Sequence, residues 1–129
     1  MERSKKKIFI LDDDSEFLKE IKTLLEETNY EVGTCQKPTE SIFAIRNFKP
    51  DCLLLDLRMP IWDGKTALAW IRRQFPALAI IVCTAITDFN EQELLRSGVL
   101  YIIQKPFATE LLLNTIERII LEQGYRTAA

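Results

Sequence analysis

Five polar residues stand at the ends of apolar runs, and their chemical types suit one reaction. Asp12 and Asp13 follow one apolar run, Asp56 follows a second, Thr84 ends a third and Lys105 comes just after a fourth. Carboxylates held close together repel one another and favour a divalent cation such as Mg²⁺, which takes one or two carboxylates plus a phosphate. An ammonium and a hydroxyl can each bind a phosphoryl oxygen. If folding brings all five together, they supply the groups that phosphoryl transfer to an aspartate requires.

The apolar runs predict the strands that would position these residues. Short, continuous apolar runs are typical of strands that are buried on both faces of a parallel sheet. The carboxyl ends of such strands share one edge, where ligands bind, so the polar residues would converge there. Taken alone, Asp56 would more often be an exposed cap of a strand or turn. Five strands are predicted, over residues 8–11, 30–35, 51–56, 79–84 and 99–103.

A helix is predicted after each strand. Asp14 or Ser15 begins the first, Pro38 and Thr39 begin the second, and residues 88–97 form the weakest. The last is predicted over residues 109–123, and Trp70 of the third is expected in the core. Strict alternation of strands and helices predicts a single-domain α/β fold, a doubly wound five-stranded parallel sheet. The predicted inward residues are Phe17, Leu18, Ile21, Leu24, Leu25, Ile42, Phe43, Ile45, Phe48, Ala67, Leu68, Trp70, Ile71, Leu112, Ile116, Ile119 and Ile120.

Composition excludes several classes of function. The chain has 129 residues, 47% of them hydrophobic, and a net charge of −2, which gives no argument for a nucleic-acid surface. It has no histidine, which excludes His-activated nucleophiles and a phosphohistidine on this chain. No apolar run approaches the ~20 residues that cross a bilayer. The cysteines Cys35, Cys52 and Cys83 are odd in number and lack C-x-x-C spacing, as expected of free thiols in a reducing cytoplasm.

The chain resembles the receiver domain of a two-component response regulator. Four motifs carry the resemblance, in this order: residues 10–14, which end in three aspartates, residues 55–60 with Asp63-Gly64, residues 82–85, and Lys105-Pro106-Phe107. Each motif is weak by itself, but each is predicted at a strand end. The resemblance implies a flavodoxin-like receiver fold with strand order 2-1-3-4-5 over residues 8–123, between a basic lead 1–7 and a tail or linker start 124–129.

The resemblance also implies a role for each site residue. Asp56 would be the phosphoacceptor, Asp13 and Asp56 direct ligands of Mg²⁺ (or Mn²⁺), and Asp12 an acidic partner that acts through water. The backbone carbonyl of Arg58 would join the metal shell. Thr84 and Lys105 would hold the phosphoryl group.

The implied partners follow from the same resemblance. The donor would be a sensor histidine kinase or a histidine phosphotransfer protein. The output would reach an effector domain or protein, or a receiver homodimer, without direct nucleic-acid or membrane binding. The expected location is the cytoplasm. The expected activity is self-catalysed phosphoryl transfer and autodephosphorylation, rather than that of a separate enzyme.

Two other classes of function stay open from the residues. A degenerate receiver would serve only as a protein-interaction module, but the complete set of polar residues argues against it. A phosphatase with an aspartate nucleophile would need a further acidic residue just after Asp56, where Leu57 and Arg58 stand. A phosphoryl-transfer assay and turnover of a small phosphate ester would distinguish the three.

Neighbouring residues carry further expectations. The Lys105–Pro106 peptide bond is predicted to be cis. The resemblance places the side chains of Ile86 and Arg58 beside the approach of the hydrolytic water. Ile86 cannot orient water and Arg58 could block it, so the phosphorylated state is expected to be fairly long-lived.

Expectations also follow for residues on the fifth strand and around the rim of the site. Ile102 occupies the position where the family usually has an aromatic switch residue, and Tyr101 is expected on the opposite face of its strand. Trp62 is a candidate for the rim of the site. Asp14 is predicted to be a helix cap, and Lys65 is a possible partner of Asp63.

Overall fold

A computed structural model describes residues 4–59 and 64–128. Strands and helices alternate throughout, as predicted. The strands are β1 (Lys7–Leu11), β2 (Glu31–Cys35), β3 (Cys52–Leu55), β4 (Ala79–Thr84) and β5 (Val99–Gln104). The helices are α1 (Ser15–Glu27), α2 (Pro38–Phe48), α3 (Gly64–Gln74), α4 (Glu91–Arg96) and α5 (Thr109–Ala128).

The five strands form one parallel sheet. Their spatial order is β2-β1-β3-β4-β5, which confirms the predicted topology. β3 lies between β1 and β4, and each of its residues is buried. Asp56 therefore follows a central strand and has polar strand ends on both sides of it.

The sheet has a hydrophobic core on each face. Alternation along β1 sends Ile8 and Ile10 into the core beneath α1 and α5. Phe9 and Leu11 point into the core on the side of α2, α3 and α4. A strand buried on both faces must be apolar throughout, which explains the continuous apolar runs. Among the described residues, no helix is long and apolar enough to cross a membrane.

Several details of the helices differ from prediction. Trp70, expected in the core, is 44% exposed, and Phe43 is 71% exposed. Both occupy positions where the helical period runs beyond the stripe that the sheet covers. α4 begins three residues later than predicted, because the Asn90 side chain caps it by accepting from the Glu93 amide at 3.1 Å. α5 continues to Ala128, past the predicted end at Gln123.

Arg72 joins the two loops at the opposite end of β4 and β5 from the site. Its guanidinium donates to five backbone carbonyls, from 2.8 Å at Leu78 to 3.2 Å at Ser97. The turn after α4 closes against it at Gly98, where φ is +88° and a Cβ would lie 3.1 Å from the guanidinium. Arg72 thereby connects the C-terminal end of α4 to the loop that leads into β4.

β5 contains an irregularity that affects its facing residues. Ile80 pairs with Val99, but Ile81 pairs with Tyr101, so Leu100 is an extra residue in the ladder. Beyond this bulge the register with β4 is regular up to Gln104.

Candidate functional site

Backbone hydrogen bonds hold the ends of the strands together at one edge. The Asp12 amide donates to the Cys35 carbonyl at 3.1 Å, and the Asp56 amide donates to the Leu11 carbonyl at 3.1 Å. The Lys105 amide donates to the Thr84 carbonyl at 2.8 Å. Each of these three residues is thus held by a backbone hydrogen bond to the end of an adjacent strand. The polar residues therefore converge at one edge, as predicted.

Three carboxylates form an acidic cluster at this edge. Ligand oxygens of Asp12, Asp13 and Asp56 all lie within 4.8 Å of one another. Asp12 and Asp56 are buried, at 1% and 6% exposure, whereas Asp13 is exposed and leaves the cluster open to solvent. Oδ1 of Asp12 accepts from the Asp14 amide at 3.0 Å, and Oδ1 of Asp56 accepts from the Arg58 amide at 2.9 Å. The backbone thereby orients both buried carboxylates.

Lys105 bridges the two buried carboxylates. Its Nζ lies 2.7 Å from Oδ2 of Asp12 and 3.2 Å from Oδ2 of Asp56. Burial alone would lower the pKa of Lys105, but the hydrogen bond and charge of Asp12 and the charge of Asp56 outweigh it, and the pKa is raised. Burial raises the pKa of Asp12, although Lys105 and the Asp14 amide act in the opposite direction. The raised pKa of Lys105 reflects a cluster in which carboxylates outnumber the one ammonium, whereas the raised pKa of Asp12 reflects mainly its burial.

The donor set of the cluster fits a hard divalent cation. Carboxylate oxygens are the ligands that Mg²⁺, Ca²⁺ and Mn²⁺ prefer, whereas softer metals favour sulfur or imidazole. The cluster has excess negative charge and an open side on Asp13. The arrangement can therefore bind a cation that neutralises it and leaves positions for water or a phosphate.

Thr84 contacts the loop between β4 and α4. Its hydroxyl oxygen accepts from the Ile86 amide at 3.2 Å, and the residue is fully buried. The exposed Gln104 side chain donates to the carbonyls of Ala85 and Ile86, both at 3.3 Å. The start of this loop is thus held from the end of β4 and from the end of β5.

The turn after β5 has the predicted geometry. The Lys105–Pro106 peptide bond is cis, which confirms the prediction. Sequence reasoning assigned Phe17 only to the core, but the Lys105 Nζ lies 3.8 Å from the centroid of its ring. The spacing in the sequence could have indicated this contact. Phe17 stands about one helical turn after Asp13, and α1 starts beside the acidic cluster. Gln104 was missed as well, and its position just before the lysine was the available signal.

The remaining assigned residues fall in different places. Tyr101 packs into the core beneath α1 and α5, whereas Ile102 and Ile86 pack on the other face, as alternation along β5 predicts for the pair. Arg58 is exposed.

The predicted cap and pairings have mixed outcomes. Asp14 caps α1 by accepting from the amides of Glu16 and Phe17, which confirms its predicted role. Lys65 lies 3.4 Å from Glu93, while its predicted partner Asp63, like Trp62, lies outside the described residues.

The cysteines are free thiols, as predicted. Cys52 and Cys83 are buried, and burial raises the pKa of each to about 12. Cys35 is half-buried, and burial raises its pKa as well. Their thiolates are therefore scarce at neutral pH.

Comparisons with known proteins agree with this geometry. A family model described as the response regulator receiver domain matches residues 8–117. The chemotaxis protein CheY of Listeria monocytogenes is 29% identical over 114 residues, which cover 87% of this chain and 96% of CheY. A crystal structure of a CheY-like receiver domain protein from Methanospirillum hungatei matches with a TM-score of 0.88 and 29% identity, over 95% of this chain and 99% of that one.

Other relatives are longer proteins. The DNA-binding transcriptional regulator NtrC of Proteus hauseri is 29% identical over 114 residues. The match covers 88% of this chain, which spans only 24% of the length of NtrC. With the family model matching most of its length, this chain belongs to the response regulator receiver domains, the phosphorylatable signalling units of two-component systems.

Proposed function

We propose that this receiver accepts a phosphoryl group on Asp56 from the phosphohistidine of a sensor histidine kinase or a histidine phosphotransfer protein. The observation that carries the proposal is the Lys105 ammonium held between the buried carboxylates of Asp12 and Asp56, at 2.7 and 3.2 Å. An Asp56 oxygen attacks phosphorus, the P–N bond breaks, and the imidazole leaves with the bonding electron pair. Phosphorylation then changes the surface that an effector or a second receiver contacts.

A divalent cation, Mg²⁺ or Mn²⁺, would be held by Asp13 and Asp56, with Asp12 acting through water and the Arg58 carbonyl as a further ligand. When bound, it neutralises the charge that would otherwise repel an incoming phosphoryl group. Lys105 and the Thr84 hydroxyl would each bind one phosphoryl oxygen. The role of the chain is to orient Asp56, which its hydrogen bond from the Arg58 amide already does.

The two alternative functions have less support. A degenerate receiver has no use for the charged set that β1, β3 and β5 bring together. A phosphatase would need a further acidic side chain close to Asp56 as general acid, but Leu57 is apolar and 7% exposed, and Arg58 carries a guanidinium.

Incubation with acetyl phosphate and Mg²⁺ tests the proposal. We expect intact-protein mass spectrometry to detect one added phosphoryl group per chain, and chelation of the metal before mixing to prevent it. Mn²⁺ should restore the reaction, since it accepts the same oxygen ligands. Incorporation that proceeds equally in the presence of a chelator would contradict the metal-dependent mechanism.

The phosphorylated state is proposed to be long-lived, because neither Ile86 nor Arg58 can activate water. Ile86 is apolar and half-buried, and the guanidinium of Arg58 offers only hydrogen-bond donors and no acceptor for a proton of water. We expect Ile86→Asn to speed hydrolysis several-fold by providing a group that can orient water. Ile42→Asn, which makes the same change on α2, is the control. Decay of purified phosphoprotein, followed by mass spectrometry, measures it. An unchanged decay rate in both Ile86→Asn and Arg58→Asn would refute the role of these side chains.

A further inference from the structure

We propose that Phe17 is a positioning residue for phosphoryl transfer, which holds the Lys105 ammonium beside Asp56. This inference rests on the proposed function of Asp56 and Lys105. It adds an uncharged group to a site otherwise described by charges and hydroxyls. Its basis is the contact of the ammonium with the ring, at 3.8 Å from Nζ to the centroid.

The contact lies within the range where an ammonium is attracted by the face of an aromatic ring. That attraction strengthens when the pair is shielded from water. The side chain of Lys105 is only 17% exposed, and its Nζ is also bonded to Asp12 at 2.7 Å. The ammonium is therefore enclosed between the ring and the carboxylates.

Phe17 is itself held in place from two sides. Its amide donates to the Asp14 side chain at 3.3 Å, so the cap of α1 fixes its backbone. Its ring packs edge to face against Phe107, with centroids 6.2 Å apart and an interplanar angle of 81°. Phe107 lies two residues after Lys105, so the turn before α5 carries both the ammonium and the ring against which Phe17 packs.

The ring would matter most once the site is loaded. Asp12 and Asp56, which hold Lys105, belong to the same cluster that would hold a divalent cation, and its charge would weaken their attraction for the ammonium. The attraction of the ring is unaffected by that neutralisation. A lysine stem has four rotatable bonds, and an ammonium released from Asp12 would otherwise sample many positions away from Asp56. Phe17 keeps it at the place where a phosphoryl oxygen arrives.

The test combines phosphorylation rates with a double-mutant cycle. We expect Phe17→Leu to slow Mg²⁺-dependent phosphorylation by acetyl phosphate by roughly threefold to thirtyfold, the range from an exposed to a shielded cation–π contact. Phe17→Tyr keeps the ring face and should retain the rate within about twofold. Phe43→Leu makes the same change at a residue that is 71% exposed on α2, and it should leave the rate unchanged.

Removing the ammonium should remove the effect of the ring. In a Lys105→Met background, Phe17→Leu is expected to cause no further slowing, because the two residues act as one unit. An equal slowing in both backgrounds would overturn the proposal and make Phe17 a structural residue only.

Unfolding equilibria measured without metal or phosphodonor supply an independent readout. The cycle of Phe17→Leu and Lys105→Met should give a coupling of at least about twofold in the unfolding constant. Additive effects would overturn the contact itself. If the unaltered protein were not phosphorylated at all, the proposed function would fail instead, and the unfolding cycle would still decide on the contact.

Discussion

Asp56→Asn is expected to reduce phosphoryl incorporation from acetyl phosphate to background. The neutral amide oxygen is a poor nucleophile, so the reaction loses its acceptor rather than a supporting group. The fold should persist, because an amide oxygen can still accept the Arg58 N–H bond that Oδ1 accepts at 2.9 Å. Lys105 keeps its shorter bond to Asp12, at 2.7 Å. We therefore expect the free energy of unfolding to change little, since one repulsive charge leaves the cluster as one ion pair is lost.

Asp14→Asn is the matched control. It makes the same chemical change two residues from Asp12, on an exposed side chain that caps α1. Asparagine caps helices as well as aspartate does, so stability and phosphorylation should both be retained. Incorporation that persists undiminished in Asp56→Asn would assign the phosphoryl group to another residue, and peptide mapping of the labelled protein would locate it.

The positions of the charged residues could be predicted because they follow from topology. Once Asp12, Asp56 and Lys105 are each placed at the carboxyl end of a parallel strand, the fold leaves them no place but one edge of the sheet. The continuous apolar runs of β3 and β4 made that placement secure, since few other elements bury every residue. The residues nearest the chemistry were therefore the easiest to assign.

Contacts between elements could not be predicted in the same way. Helical periodicity identifies the side of α3 that faces the sheet, but the width of the covered stripe depends on neighbouring elements, and Trp70 lies beyond it. The contact between Phe17 and Lys105 joins residues that are far apart in the chain, and it depends on how α1 sits above the turn after β5. The bulge at Leu100 arises from pairing with β4, for which the sequence of β5 carries no turn signal.

The same features of β5 lead to a prediction about how the site communicates with the surface. Tyr101 packs into the core beneath α1 and α5, on the opposite face from Ile102. To reach the side of α4, the ring would have to cross a sheet whose register is regular beyond the bulge. Ile102 has no ring that could swing or hydroxyl that could be exposed. We therefore expect activation to proceed without movement of an aromatic side chain on β5.

The loop after β4 is the route that remains. The Thr84 hydroxyl now accepts from the Ile86 amide at 3.2 Å, and the next contact outward is Gln104, which donates to the carbonyls of Ala85 and Ile86. If Thr84 turns toward a phosphoryl group on Asp56, the Ile86 amide loses its acceptor and the loop must rearrange. The displacement then reaches the exposed end of β5 through Gln104.

Thr84→Val is accordingly expected to weaken the response, by up to about half of the coupling free energy, while leaving Asp56 reactive. A hydrogen bond to a charged group contributes about 1.5–3 kcal/mol, which shifts a two-state equilibrium by roughly tenfold to a hundredfold. Inverting a 1:99 population takes about 5.5 kcal/mol, so loss of this bond removes a large share of the coupling. The measurement is the change in the amide NMR signals of Ala85, Ile86 and Gln104 on adding Mg²⁺ and beryllofluoride. Tyr101→Phe is the control, and it should leave that change intact.

Movement of Tyr101 on activation would contradict this prediction. If Tyr101 moved to the other face of the sheet in the beryllofluoride-bound structure, the aromatic switch would have shifted by one position along β5. The same conclusion would follow if Tyr101→Ala abolished activation-dependent partner binding or dimerisation while Ile102→Ala left it intact. Under the first outcome the bulge at Leu100 would have to slip on activation, because a one-residue change of register carries a side chain from one face of a strand to the other.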